Sequence, residues 1–210
     1  MSNLKILFLD IYKKEGFRIN KDVNGGFGTG NNYIGGFFTK LLAKYQKESI
    51  FWPPIYFAST MGVVEKLGNH CKYSTNLKDA HNGFDIFILS SSIVACETEI
   101  KAINYLKFFN LPILVIGPFA STCPEKYIQQ GANVLIGEPD TSFMSNSEIL
   151  SQLTTKSKII YPSTKQVKLE DLPIPSWENI FKNKKCVMGF LGTGYSLPIY
   201  ASRGCPYSCF

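Results

Sequence analysis

Leu4-Lys5-Ile6-Leu7-Phe8-Leu9-Asp10 is an apolar run closed by a carboxylate, and Phe84-Asp85-Ile86-Phe87-Ile88-Leu89-Ser90 repeats the form. Unbroken Ile, Leu, Phe and Val suit strands buried on both faces, as in a parallel sheet covered by helices. Pro112 to Gly117 and Asn133 to Gly137 continue the series, and Ile55 to Ala58 is predicted as its second strand. Helical stripes fall between them. Ile34, Phe37, Phe38, Leu41, Leu42 and Tyr45 share one face, and so do Ile100, Ile103, Leu106 and Phe109. Thr60 to Gly68, Pro124 to Gln130 and Ser142 to Leu153 are further predicted helices. The expectation is an α/β fold: a doubly wound parallel sheet of about five strands in flavodoxin-like order, with ligands at the carboxyl ends of the strands.

The loops at that edge are rich in small residues. The long stretch after the first strand holds Asn24-Gly25-Gly26-Phe27-Gly28-Thr29-Gly30. It lacks the Gly-Lys-Ser/Thr of a P-loop and the third-glycine spacing of a dinucleotide fingerprint, so nucleotide binding by motif is rejected. Its glycines offer backbone that can lie against a large rigid ligand, and a plain surface loop is the competing reading. Ser90, Ser91 and Ser92 end the third strand with small hydroxyls that can bond a ligand or cap a helix. Gly117-Pro118-Phe119-Ala120 follows the fourth strand and Gly137-Glu138 the fifth.

Composition excludes several classes. With 45% apolar and 14% aromatic residues, the chain can bury a sizeable core. No apolar stretch reaches the roughly 20 residues of a membrane span, and the start does not read as a signal peptide, so a cytoplasmic protein without membrane partners is expected. The net charge of +6 is spread along the chain as lysines, with only Arg18 and Arg203 as arginines, so no nucleic-acid partner is expected. Cys71, Cys96, Cys123 and Cys186 are too scattered for a disulfide scaffold and read as ordinary thiols.

Ser202-Arg203-Gly204-Cys205-Pro206-Tyr207-Ser208-Cys209-Phe210 is different. Cys205 and Cys209 have the first interval of a C-x3-C-x2-C cluster motif, and the sequence ends two positions before the third cysteine's place. Three such thiolates hold three irons of a four-iron cluster and leave the fourth open, whereas two hold a cluster poorly. A disulfide or a pair of buried thiols fits the bare spacing equally well. Pro206 and Gly204 favour a tight loop after a strand at Tyr195 to Ala201.

The Arg-Gly-Cys-Pro-Tyr run resembles the cluster motif of radical S-adenosylmethionine enzymes. The order of strand, Gly-Gly loop, Phe84 to Ser90, Ile116 to Glu125 and Ile136-Gly137-Glu138, followed by Leu169-Glu170-Asp171-Leu172-Pro173-Ile174-Pro175, resembles their cobalamin-dependent branch. The resemblance implies a cobalamin-binding domain over residues 1–153, a linker over 154–194 and the truncated start of a radical barrel over 195–210. It also implies cobalamin contacts at Gly25, Gly26, Gly28, Ser90, Ser91, Ser92, Gly117, Pro118, Phe119, Ala120, Gly137 and Glu138, and metal ligation by Cys205 and Cys209.

The cofactors of the full-length parent would be cobalamin, a four-iron four-sulfur cluster and S-adenosylmethionine. Its activity would be that of a methyltransferase on a small-molecule or peptide substrate. This chain should bind cobalamin and catalyse nothing alone, so no catalytic residue is assigned. Asp79-Ala80-His81-Asn82-Gly83 is a near miss to the Asp-x-His-x-x-Gly motif of methionine-synthase-like domains, placed before the third strand. His81 is therefore read as a surface residue, His70 has no partner nearby in sequence, and cobalt is expected without a protein histidine. Two other readings stay open: a degenerate Rossmann-like scaffold or docking module without cobalamin, and a transfer-RNA methylthiotransferase-like fragment, whose family carries extra cysteines near its first strand.

Overall fold

The computed structural model describes residues 3–11, 35–42, 53–162, 167–181 and 197–200. Six parallel strands form one sheet in the order β2-β1-β3-β4-β5-β6: β1 (Lys5–Leu9), β2 (His70–Ser74), β3 (Ile86–Ser90), β4 (Ile113–Ile116), β5 (Asn133–Leu135) and β6 (Ile159–Ile160). The chain steps outward from β1 to β2, then crosses to the other side of β1 for β3. The topological switch point therefore lies between β1 and β3.

The apolar runs alternate between two cores. Ile6, Phe8, Ile86, Ile88, Leu114 and Ile116 face one, while Leu7, Leu9, Phe87, Leu89, Ile113 and Val115 face the other. Side chains alternate across a strand with period two, so a strand packed by helices on both faces needs apolar residues at every position. The first core is closed by α2 (Ile55–Lys66), α6 (Pro139–Ser145) and α7 (Trp177–Phe181), and the second by α3 (Cys96–Leu106), α4 (Pro118–Thr122) and α5 (Glu125–Ile128). A further short helix, α1, spans 37–42 and leaves Phe37, Phe38, Leu41 and Leu42 exposed.

Three expectations are corrected. Ile55 to Ala58 is the first turn of α2, which runs on through the segment predicted as a separate helix. The second strand is instead His70–Ser74, an edge strand in which only Tyr73 and Ser74 are buried, so it carries no apolar run. The sheet has six strands rather than about five, because β6 forms within the stretch read as linker. Ser142 to Leu153 is helical only to Ser145, with turns after it.

The segment 172–181 also packs on the domain, as a strap across α2. The Ser176 amide donates to the Ala58 carbonyl at 2.8 Å, Asn179 Nδ2 donates to Glu65 Oε1, and Ile180 is fully buried in the first core. Gly62 makes this possible: a Cβ there would stand 2.5 Å from the Ile174 carbonyl oxygen. In a free helix Gly62→Ala would add about 1 kcal/mol of helix stability. Here the clash is with backbone, and overpacking costs about 1–3 kcal/mol, so the net expectation is a small loss with the strap lifted off. Limited proteolysis should show new cleavage within 167–181 in Gly62→Ala, and an unchanged digest would refute the docked strap.

Candidate functional site at the carboxyl edge of the sheet

At the switch point the end of β1 is a buried carboxylate. Asp10 has no exposed surface, its amide donates to the Ser74 carbonyl at 2.9 Å, and its side chain accepts from Tyr73 Oη at 3.1 Å and Ser90 Oγ at 3.3 Å. One side chain thereby ties β1 to both neighbours, β2 and β3, at the strand ends. A buried carboxylate persists only where donors replace its lost water, and these two hydroxyls are such donors.

Ser91 and Ser92 carry the chain on from β3. The Ser91 amide donates to the Ile116 carbonyl at 2.7 Å, and Ser91 Oγ accepts from the Ala120 amide at 2.9 Å, fixing α4 to the β3 end. The Ser92 amide donates to Glu99 Oε2 at 3.2 Å, and the same oxygen accepts from Tyr127 Oη at 2.7 Å. Burial, and then the Glu99 carboxylate beside it, push the Tyr127 hydroxyl far above its ordinary pKa, so it stays a donor. Ser92 Oγ is buried and has no hydrogen-bond partner among the described residues.

Gly117 ends β4 with φ 121° and ψ 168°, backbone that a side chain would strain. The Gly117 carbonyl accepts from Ser121 Oγ at 3.0 Å, and that oxygen accepts from the Gly137 amide at 3.0 Å, which couples the β4 and β5 ends. Glu138 is the exposed N-cap residue of α6, and its carbonyl accepts from Ser142 Oγ at 2.7 Å. Asp140, buried in the first turn of α6, accepts from Ser59 Oγ of α2.

The resulting edge has a floor of small residues and an apolar rim. Ser90, Ser91, Ser92, Gly117 and Ala120 are buried, Phe119 is half-buried, and Pro118, Gly137 and Glu138 are exposed. Ile93 at 68% and Val94 at 37% exposure stand just beyond the serines. Ser90 and Ser91 spend their side chains on protein bonds, and of the three the Ser92 hydroxyl has no partner among the described residues. Gly25, Gly26, Gly28, Cys205 and Cys209 lie outside the described residues.

On the α2 face a second feature opens: a cavity of about 420 Å³ walled by Ile55, Ser59, Leu172, Ile174, Trp177 and Tyr200. It is built from the Leu-Pro-Ile-Pro element, and Ser59 connects its wall to Asp140 at the β5 end.

His81 sits at the opposite edge. Its Nε2 is 2.7 Å from Tyr105 Oη in the last turn of α3, and its ring is 4.9 Å from that of Phe109 in the short turn that follows on the way to β4. The thiols of Cys71 and Cys96 are pushed up by burial, which keeps them neutral and poor as nucleophiles or metal ligands. Among the described residues no group of three or more His, Cys, Asp or Glu is placed to hold a metal ion, and no helix is long and apolar enough to cross a membrane.

Two acidic residues of this edge carried a sequence signal. Asp10 closes an apolar run. Glu99 lies on the face of Ile103 and Leu106 by helical spacing, and the buried face of α3 is Glu99, Ala102, Ile103 and Leu106, with Ile100 only half-buried. Ser59 and Asp140 gave no such signal, because they meet only through the packing of α2 on α6. No protein-family model, no curated protein and no solved structure matches the chain.

Proposed function

We propose that this chain binds cobalamin across the carboxyl edge of its sheet, as the front part of a cobalamin-dependent radical S-adenosylmethionine methyltransferase. The observation that carries the reading is the switch point of an all-parallel sheet, floored by serine and glycine and rimmed by Ile93, Val94 and Pro118. Crevices at this position are where open α/β sheets hold their ligands. Small residues at the strand ends and the exposed apolar residues beyond them are the types that would suit a broad flat ligand, and the buried Ser92 hydroxyl, without a partner among the described residues, is a group that could turn to it. These residue types support the reading.

Ser92, Gly117, Ala120 and Gly137 would hold it, with Gly25, Gly26 and Gly28 joining from the loop after β1, and Cys205 and Cys209 contributing to a cluster site in the parent. Bound cobalamin supplies methyl-carrier chemistry, and the cluster with S-adenosylmethionine supplies a radical; the protein binds and orients them. The described residues contribute a fixed edge: Asp10 holds β1, β2 and β3 together, and Ser91 and Ser121 pin the β4 and β5 ends against them.

A scaffold without cobalamin is the second reading, favoured by the Ser90 and Ser91 hydroxyls being engaged within the protein. Titration of the chain with hydroxocobalamin, followed by visible absorbance and gel filtration, separates the two. Binding predicts a saturating spectral change and co-elution of the pigment with the protein. An unchanged spectrum, with all pigment in the small-molecule volume, sinks the cobalamin reading and leaves the scaffold.

A further inference from the structure

Glu99 is buried on the core face of α3, where helix packing alone asks for an apolar side chain. A carboxylate withdrawn from water is costly unless donors surround it, and two of its donors here come from different elements: the Ser92 amide at 3.2 Å and Tyr127 Oη of α5 at 2.7 Å. The amide of Ser92 is thus held while its hydroxyl has no partner among the described residues, and the next two residues, Ile93 and Val94, are exposed. Packing explains neither a buried acid beneath a strand end nor a fixed hydroxyl left unsatisfied above it.

We propose that Glu99 is the positioning residue of the β3–α3 loop, its carboxylate holding the amide of the fully buried Ser92 so that the exposed Ile93–Val94 rim is preset for the ligand. Glu99 does not touch the ligand; it acts through Ser92. The proposal rests on the ligand edge proposed above for its second half, and the loop clamp stands without it. Holding the loop before binding spares the ligand the cost of ordering it, so the clamp raises affinity by preorganisation.

The test uses the whole chain, with Glu99→Met filling the site without an acceptor, Glu99→Gln keeping one, and Ile103→Val as a control on the same helix face. Hydrogen exchange without ligand reads the clamp: the wild-type Ser92 amide should be protected relative to Ile93 and Val94, and Glu99→Met should speed exchange over 91–95 by about tenfold or more while β4 is unchanged. Hydroxocobalamin affinity reads the consequence: Glu99→Met should weaken binding about fivefold or more, Glu99→Gln should return both readouts to within about twofold, and Ile103→Val should lower the melting temperature and move neither.

An unprotected Ser92 amide in the wild-type chain overturns the proposal, whether or not the variants fold. So does unchanged loop exchange in Glu99→Met, or faster exchange with undiminished affinity. Should the wild-type chain bind no hydroxocobalamin, the ligand reading fails separately, and faster exchange in Glu99→Met still establishes the clamp.

Discussion

Phe57→Ala should lower the stability of the domain by about 3–5 kcal/mol, a large part of the roughly 5–15 kcal/mol that holds a typical domain folded. Phe57 is 1% exposed on α2, with its ring edge-on to Phe8 of β1 at 5.3 Å and to Tyr73 of β2 at 6.3 Å. It therefore joins the helix to both strands on this side of the switch. Truncation removes the ring's buried surface, leaves a cavity that two strands and a helix cannot collapse into, and forfeits edge-to-face pairs worth about 0.5–1.5 kcal/mol each. For a domain of this size the melting temperature should fall by about 6–20 °C. Urea denaturation of both proteins checks it, and a loss under about 1 kcal/mol would place Phe57 outside the core.

The misreading of Phe57 shows why part of the fold was illegible. The central strands β1, β3 and β4 could be read because burial on both faces writes itself as an unbroken apolar run. α2 writes a similar run for another reason: all positions from Ile55 to Val64 are buried, with the sheet beneath and the strap of 172–181 above. A helix covered on both sides loses its 3.6-residue stripe, and over four residues such a run cannot be told from a strand. The edge strands fail the opposite way. β2 pairs on one side only, and its sequence His70-Cys71-Lys72-Tyr73-Ser74 carries too little apolar signal to be noticed.

The edge proposed as the site was legible in place but not in wiring. Strand order and the small residues after β3, β4 and β5 mark the edge, since loops there follow from topology. Which serine is free does not follow. Ser90, Ser91 and Ser92 are identical in sequence, and only the partners Asp10, Ala120 and Glu99, drawn from three other elements, distinguish them. The strap was hidden for a related reason: Pro173 and Pro175 read as linker, while the feature that docks them is an absent side chain at Gly62, far away in the sequence.

Asp10→Ala should cost about 2–4 kcal/mol and loosen the carboxyl edge of the sheet. The carboxylate accepts from Tyr73 Oη and Ser90 Oγ, residues that are themselves 4% and 2% exposed, so both hydroxyls lose an acceptor where water has little access. Losing a hydrogen bond costs about 0.5–3 kcal/mol, towards the upper end when the acceptor is charged, and two are lost here. Tyr73→Phe should cost less, about 1 kcal/mol, because it removes a donor and leaves the carboxylate its bond from Ser90. Once Asp10 is gone, removing the Tyr73 hydroxyl should cost less than it does in the wild-type chain, so the double variant should be more stable than the sum of the single losses allows. The coupling should be about 0.5–3 kcal/mol, the range for directly bonded residues. Strict additivity in this cycle would mean that Asp10 fills space at the end of β1 without fastening the neighbouring strands. Measurable coupling, together with weaker hydroxocobalamin binding by Asp10→Ala, would show that the three strand ends act as one unit and that the proposed ligand edge depends on their being held together.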